Sequence, residues 1–219
     1  MTGRTLSAER VLNAALTLAD AGGTEALSMR RLGQSLGVEA MSLYRHVANK
    51  DAVLAGITDL VISEITLPAV TGDWKSAMRQ RGLAAHEVLM RHPWAPALLM
   101  SRTNSGPAMI RYIDFTLGVL RDAGFSWGLA DHAWNTMDSF IYGFTLRKLS
   151  FPIEQKDYAE VAGAHLHLLE GFPHMAELTR IVASGGHPGE PEVTFGLDLI
   201  LDGLEALSRD PGASGGPPA

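Results

Sequence analysis

The sequence predicts an all-α fold, and three observations carry that prediction. Apolar residues recur at helical spacing, i, i+3 and i+4, along most of the 219 residues. A sustained alternation of apolar and polar residues, which indicates a half-buried strand, does not occur between the turn dipeptides. Serine or asparagine precedes several apolar stretches, and glycine or proline follows them, as is typical of helix ends. With 46% hydrophobic residues the chain is long enough for one long domain or two smaller ones.

Four helices are predicted before the first strong break, at Pro68. Ser7, Ser28 and Asn49 are placed as N-caps, because their side-chain oxygens can accept hydrogen bonds from the first free backbone amides of a helix. Gly37 ends the second helix, since glycine adopts the left-handed backbone that often follows a helix. The predicted bounds are about 7–21, 28–37, 39–47 and 49–67.

The remainder of the chain continues as helices separated by proline and glycine breakers. We expect helices at about 74–91, 94–100, 107–123, 127–149, 157–169, 174–184 and 192–208, which makes about ten in all. Residues 210–219 are rich in glycine and proline and cannot build a core, so we expect a disordered tail.

Composition excludes several classes of protein. The chain has no cysteine, which rules out disulfides, thiolate nucleophiles and thiolate metal sites and is typical of a reducing cytoplasm. The N-terminus lacks the apolar segment of a signal peptide, and no stretch approaches the roughly 20 apolar residues of a membrane span. We therefore expect a cytoplasmic protein with no membrane association.

The charge is unevenly distributed. The net charge is -6, which by itself disfavours nucleic acid as a partner. Residues 1–50, however, hold six basic and four acidic residues, so that the remainder carries twelve basic and twenty acidic ones. Such asymmetry indicates an anion-binding head on an acidic body.

The second and third helices have the outline of a helix-turn-helix, in which the second of two short helices enters the major groove of DNA. Arg30 and Arg31 lie in the first turn of one predicted helix, and Lys50 begins another. The helix dipole makes these poor positions for cations. They suit cations that hold a phosphate together with the helix amides. The alternative is a plain helical hairpin.

The third helix leaves a set of side chains pointing outward that suits a DNA-reading surface. Met41 and Ala40 can contact thymine methyl groups, and polar neighbours can reach base or phosphate oxygens. The alternative is that Met41 and Tyr44 pack against the body. The outward residues are Ala40, Met41, Ser42, Tyr44, Arg45 and His46.

The segment 27–50, which reads LSMRRLGQSLGVEAMSLYRHVANK, resembles the signature of the tetracycline-repressor family without a gap. The segment 195–205 resembles the last helix of the tetracycline-repressor subgroup itself. By this resemblance Arg30 and the outward face of the third helix read bases. The residues that would hold phosphates are Ser28, Tyr44, His46 and Lys50.

The resemblance also implies three functional parts: a DNA-binding domain at 1–48, a connecting helix at 49–67 and a ligand-binding and dimerisation domain at 68–209. In the family the two last long helices, here 127–149 and 192–208, form a four-helix interface between two subunits. Burial within one subunit is the alternative for this apolar stripe. The expected interface residues are Tyr142, Phe195, Leu199, Ile200, Leu204 and Leu207.

The region 74–184 holds six methionines and all four tryptophans, which suit a pocket for a bulky apolar ligand and equally suit an ordinary core. The family carries its inducer pocket here. Members that bind a tetracycline–metal chelate use a histidine in the short sixth helix, where this chain has none, so we expect another effector and no metal or cofactor. The expected pocket residues are His86, Trp94, Met100, Met109, Trp134, Met137 and Ile141.

The resulting prediction is a ligand-responsive transcriptional repressor that binds a palindromic operator as a homodimer and is released by an unidentified small molecule. A transcriptional activator of the same fold is one alternative. An α-helical enzyme is another, for which His165, His167 and His174 with Glu170 would have to bind a metal. Because positions 165 and 167 point to different sides of a helix, we favour a protein that is not an enzyme.

Overall fold

The computed structural model describes residues 6–69, 72–151, 153–187, 189 and 192–209, and within them it confirms the predicted all-α class. This part of the chain forms eleven α-helices and two short 3-10 helices, and no strand. The helices are α1 Ala8–Ala26, α2 Met29–Leu36, α3 Ala40–Leu43, α4 Lys50–Ser63, α5 Trp74–Arg91, α6 Ala95–Ser101, α7 Pro107–Asp122, α8 Trp127–Ser150, α9 Tyr158–His165, α10 Pro173–Ala183 and α11 Val193–Arg209. The 3-10 helices are Gln155–Asp157 and Leu166–Leu169.

The three predicted N-caps are confirmed. Ser7 and Ser28 each accept a hydrogen bond from the backbone amide three residues later at 3.2 Å, and Asn49 does so at 2.8 Å. The first helix also breaks at the predicted position, where Gly22 and Gly23 have non-helical backbone angles. The residues after this break, up to Ala26, still belong to α1.

Three predicted helices are shorter in the structure. The fourth, expected over 49–67, ends at Ser63. The third, expected over 39–47, is a single turn at α3, after which the Val47 amide bonds the Leu43 carbonyl at 3.0 Å and the chain turns away. The helix expected over 157–169 is divided into α9 and a 3-10 helix. Helices in proteins are stabilised mainly by packing, and α9 has no buried residue to hold a longer helix straight.

Two apolar clusters hold the fold together. The first is continuous from the N-terminal helices into the body, since Val11, Leu32 and Leu43 belong to the same cluster as Ile57 of α4 and Leu89 of α5. The second lies between α5, α7, α8 and α11. The N-terminal head therefore rests on the body through a shared core.

Two other predictions concern the C-terminal residues and membrane-spanning helices. The tail 210–219 lies outside the described residues. Among the helices that the structure describes, none is long and apolar enough to cross a lipid bilayer.

Candidate nucleic-acid interface and body cavity

The turn between α2 and α3 fixes the angle at which α3 leaves the head. Gly37 has a φ of 69°, and the Val38 amide that follows bonds the Gly33 carbonyl at 3.0 Å, which closes the C-terminus of α2. A Cβ on Gly33 would lie 2.8 Å from the Val38 carbonyl oxygen, so the turn packs on a residue with no side chain. This is the helix-turn-helix geometry that the sequence predicts.

Helix α3 presents an exposed surface beside this turn. Leu43 is fully buried and anchors the helix, whereas Met41 is 75% exposed and Tyr44 is 45% exposed. The alternative in which these two side chains pack against the body is wrong. Of the other candidate contacts, Ser28, Arg30, Arg31, Arg45 and Lys50 are exposed, and Ala40, Ser42 and His46 are half-buried.

The cations at the helix starts are not neutralised by carboxylates within the described part of the chain. Arg31 Nη1 donates to the Ala26 carbonyl at 3.3 Å, and Lys50 Nζ donates to the Thr24 carbonyl at 3.5 Å. Both carbonyls belong to the segment after the glycine break in α1. The two backbone carbonyls therefore orient Arg31 and Lys50 through long hydrogen bonds. The positive charges of these side chains remain available to bind an anion.

Helix α4 is tied to the body at two points. At its start, Asp51 accepts a hydrogen bond from Arg102 at 2.9 Å. One turn before its end, Asp59 accepts the backbone amides of Ala108 and Met109 at 3.2 and 3.0 Å and so caps α7. The α6–α7 segment is therefore hydrogen-bonded to α4 both at its start and near its end.

A third connection joins α1 to the turn after α5. Asp20 Oδ1 lies 2.8 Å from His92 Nδ1 and accepts the Trp94 indole N–H at 2.7 Å. His92 Nε2 is 3.3 Å from Glu64, which also accepts from Arg91 at 2.8 Å. Burial acts to raise the pKa of Glu64, but hydrogen bonds from Arg91 and His92 outweigh it and hold the pKa below its usual value.

A cavity of about 390 Å³ that is partly open to solvent, called here the body cavity, lies between α6, α7 and α8. Three predicted pocket residues line it: Met100, Met109 and Trp134. The other lining residues are Leu99, Arg102, Thr103, Asn104, Ile113, Asn135, Asp138, Ser139 and Tyr142.

The other four predicted pocket residues do not line this cavity. Met137 and Ile141 are fully buried in the core, and Trp94 is buried at the α1 connection. His86 is half-buried, with Nδ1 2.7 Å from Thr145 Oγ1. Because the Thr145 hydroxyl donates its hydrogen to the Ile141 carbonyl, its oxygen accepts from His86, which places the imidazole hydrogen on Nδ1.

A buried ion pair that the sequence analysis did not predict lies behind the cavity wall, to which its Asp138 contributes. Arg81 is fully buried and its Nη2 lies 2.6 Å from Asp138 Oδ1. Asp138 also accepts from Trp134 Nε1 at 2.8 Å and from the hydroxyls of Tyr142 and Tyr112 at 3.2 and 3.3 Å. Burial raises the pKa of both tyrosines, so both remain protonated donors at neutral pH.

A signal for this pair was present in the sequence. Arg81 falls between Met78 and Ala85 on the inward face of α5, and Asp138 adjoins Met137 on the inward face of α8. A lone charge of each sign on two apolar helix faces indicates that the two charges meet, because an unpaired buried charge is costly.

Comparison with known proteins decides the family. A model described as "Tetracyclin repressor-like, C-terminal domain" matches residues 67–208, and one described as "Bacterial regulatory proteins, tetR family" matches residues 11–57. The chain belongs to the tetracycline-repressor family. It is accordingly a transcriptional regulator that binds DNA through its helix-turn-helix.

Relatives within the tetracycline-repressor family span nearly the whole chain. The HTH-type transcriptional repressor DrrR1 of Streptomyces coeruleorubidus is 31% identical, over 93% of this chain and 78% of its own length. The class A tetracycline repressor from transposon 1721 of Escherichia coli is 28% identical, over 91% of this chain and 90% of its own. Apo ActR from Streptomyces coelicolor superposes with a TM-score of 0.82 at 25% identity, covering 95% of this chain and 99% of its own.

Members of the tetracycline-repressor family work as dimers, and the expected interface residues differ in exposure here. Phe195, Leu199 and Leu207 of α11 are exposed, the first two by 72% and 65%. Ile200 is half-buried. Leu204 faces the second core cluster and Tyr142 faces Asp138, so these two lie inside the subunit.

Two of the histidines considered for an α-helical enzyme make local hydrogen bonds. His165 Nδ1 lies 2.6 Å from the Val161 carbonyl oxygen, and His167 Nδ1 lies 2.8 Å from that of Ala164. No group of three or more metal-ligating side chains converges anywhere in the described residues.

Proposed function

We propose that this protein is a repressor that holds a palindromic operator as a homodimer and leaves it when a neutral aromatic molecule fills the body cavity. The DNA-binding head is residues 1–48, the connecting helix 49–67 and the ligand-binding and dimerisation domain 68–209. The protein acts in the cytoplasm, where bacterial DNA is transcribed, and performs no catalysis.

The proposed contacts to DNA divide by chemistry. Base edges are read by Arg30, by the outward side of α3 and by a residue just after it; the last two groups are Ala40, Met41 and Ser42, and Arg45. Phosphates are held by Ser28, Arg31, Tyr44, His46 and Lys50. Such contacts set the affinity but carry no sequence information, so the two groups of residues should differ in their effect on specificity.

The chemistry of the body cavity favours a neutral effector. Asp138 already accepts hydrogen bonds from four protein donors, and Arg102 forms an ion pair with Asp51. Both charged residues of the cavity wall therefore have protein partners, and the ligand needs no charged group to compensate them. Trp134 and Met109 offer flat and adaptable apolar surface. An aromatic molecule with carbonyl or hydroxyl groups fits this wall, and ActR, a relative in fold and sequence, has been solved with actinorhodin.

One observation carries the proposal: Arg102 borders the body cavity and also bonds Asp51 at the start of α4. A ligand that displaces Arg102 therefore acts directly on the helix that begins at Lys50, on the DNA side of the head. Ligand binding would shift the population toward heads that no longer match the half-site spacing. A coupling free energy of about 1 to 3 kcal/mol lowers operator affinity roughly 5- to 150-fold.

The test is an operator-release titration. A duplex selected by the protein from random sequence is labelled, and its fluorescence anisotropy is followed as neutral polycyclic aromatic ketones are added. Ser139→Phe fills the body cavity from an exposed position and should bind the duplex normally but resist release. The matched control, Asp114→Phe, adds the same side chain to the exposed face of α7 outside the cavity and should respond like the wild type. Equal release from Ser139→Phe and the wild type would refute the assignment of the cavity.

A further inference from the structure

A second cavity, of about 420 Å³, lies where the head meets the body, and we call it the junction cavity. It is bounded by Leu12 of α1, by residues 55–62 of α4 and by residues 103–107 with Met109. Thr103, Asn104 and Met109 border both this cavity and the body cavity. The two cavities therefore share one wall.

The segment 103–105 at the edge of the junction cavity carries polar groups without a partner in the described part of the protein. Asn104 Nδ2 donates to the Leu99 and Arg102 carbonyls at 3.3 and 3.0 Å, so its Oδ1 is left as an acceptor. The hydroxyls of Thr103 and Ser105 are exposed and make no hydrogen bond within the described residues. The opposite wall is mostly apolar, with Leu12, Gly56, Leu60 and Ile62, and its polar members Thr58 and Asp59 are hydrogen-bonded within the protein. An apolar face opposite a polar edge is the usual form of a small-molecule site.

One carboxylate borders the junction cavity. Among its described lining residues Asp59 alone is charged, and it accepts hydrogen bonds from the amides of Ala108 and Met109 at the positive end of the α7 dipole. The walls pack closely against each other. A Cβ on Gly56 would come within 2.6 Å of Leu12 Cδ2, and Asp59 holds α7 against α4. The cavity is therefore bounded by packed and hydrogen-bonded elements, and its one carboxylate is already bound by protein donors.

We propose that the junction cavity is a second small-molecule site, for a neutral and largely apolar molecule with one hydrogen-bonding edge. This goes beyond the proposed function, which needs the body cavity alone. A molecule in the junction cavity touches α1 and α4 directly and so alters the orientation of the head. Because the two cavities share residues 103–104 and Met109, occupation of one changes the shape of the other.

The test counts molecules of a neutral probe, 6-propionyl-2-(dimethylamino)naphthalene, bound per subunit of the full-length protein at saturation in equilibrium dialysis. Ala55→Phe fills the junction cavity and Ser139→Phe fills the body cavity, each from an exposed position. We expect two molecules per subunit for the wild type, one for each variant and none for the double variant. Unchanged helix content by circular dichroism verifies folding, and Ala55→Leu serves as a smaller replacement should Ala55→Phe lose it.

The outcomes separate the two sites. One molecule per subunit that is lost in Ser139→Phe and kept in Ala55→Phe overturns the junction site and leaves the proposed function intact. One molecule that is lost in Ala55→Phe alone supports the junction site and contradicts the role of the body cavity, and no bound probe overturns both. The probe should also release the operator to a greater extent in the wild type than in Ala55→Phe, in which the body cavity stays open. Equal release in these two proteins would overturn the regulatory part of the inference.

Discussion

Replacing Asp138 by asparagine removes the carboxylate that faces the buried guanidinium of Arg81. The 2.6 Å contact between Arg81 Nη2 and Asp138 Oδ1 is the hydrogen bond that the described residues provide to this guanidinium, since Nε and Nη1 are buried without a partner. Breaking a buried ion pair from one side costs about 3 to 5 kcal/mol, because the remaining charge is left uncompensated. In a chain of this size, 1 kcal/mol lowers Tm by about 2 to 4 °C, so we expect a decrease of about 6 to 20 °C.

The assay is differential scanning calorimetry at one fixed protein concentration, since the stability of a dimer depends on concentration. Glu154→Gln, which breaks the exposed pair with Lys156, is the matched control and should change the free energy of unfolding by about 0 to 1 kcal/mol. Arg81→Met should reduce the cost of Asp138→Asn, because the buried charge is then gone. The account is refuted if Asp138→Asn lowers Tm no more than Glu154→Gln does.

Four further predictions concern the DNA contacts, the contact between α4 and α7, the dimer interface and the half-buried His86. Lys50→Ala should weaken binding to all DNA sequences alike and lower the salt slope by about one, whereas Arg30→Ala should alter sequence preference; equal loss of selectivity in random-duplex selections contradicts these roles. Asp59→Ala removes a helix cap worth about 0.5 to 2 kcal/mol and should reduce ligand-induced release in anisotropy titrations, and full release would contradict its coupling role. Leu199→Glu should leave folded monomers in sedimentation experiments, and a persistent dimer would place the interface elsewhere. Burial lowers the pKa of His86, with a further contribution from Lys148, so the folded state binds fewer protons than the unfolded state just below pH 6.5. The free energy of unfolding, measured with urea, should therefore fall as the pH is lowered through that value. If His86→Asn leaves the dependence of this free energy on pH unchanged, the prediction is wrong.

The parts of the fold that were predictable are those set by local rules. The caps at Ser7, Ser28 and Asn49 and the glycine turn at Gly37 depend on residues within one helical turn of each other, so the sequence states them directly. The exposed face of α3 was predictable for a related reason. Its apolar Met41 falls off the buried stripe of the helix, which leaves it no place in the core.

The cavity was less predictable because burial and cavity lining produce the same sequence pattern. Met109 and Met137 are both inward-facing methionines, yet the first borders the body cavity and the second is enclosed by core residues. Which of the two methionines lines a cavity depends on how α6 and α7 pack against α8. Trp94 was assigned to the pocket on residue type, but its indole N–H binds Asp20, more than seventy positions away in the sequence.

The most direct test of the central claim is selection of bound sequences from random duplex DNA by the purified protein, repeated over a range of salt concentrations. A dimeric reader predicts a palindromic consensus, with half-sites related by two-fold symmetry, and an affinity that falls steeply as salt rises. Absence of enrichment, or a consensus without two-fold symmetry, would contradict the account of this protein as a homodimeric operator-binding repressor.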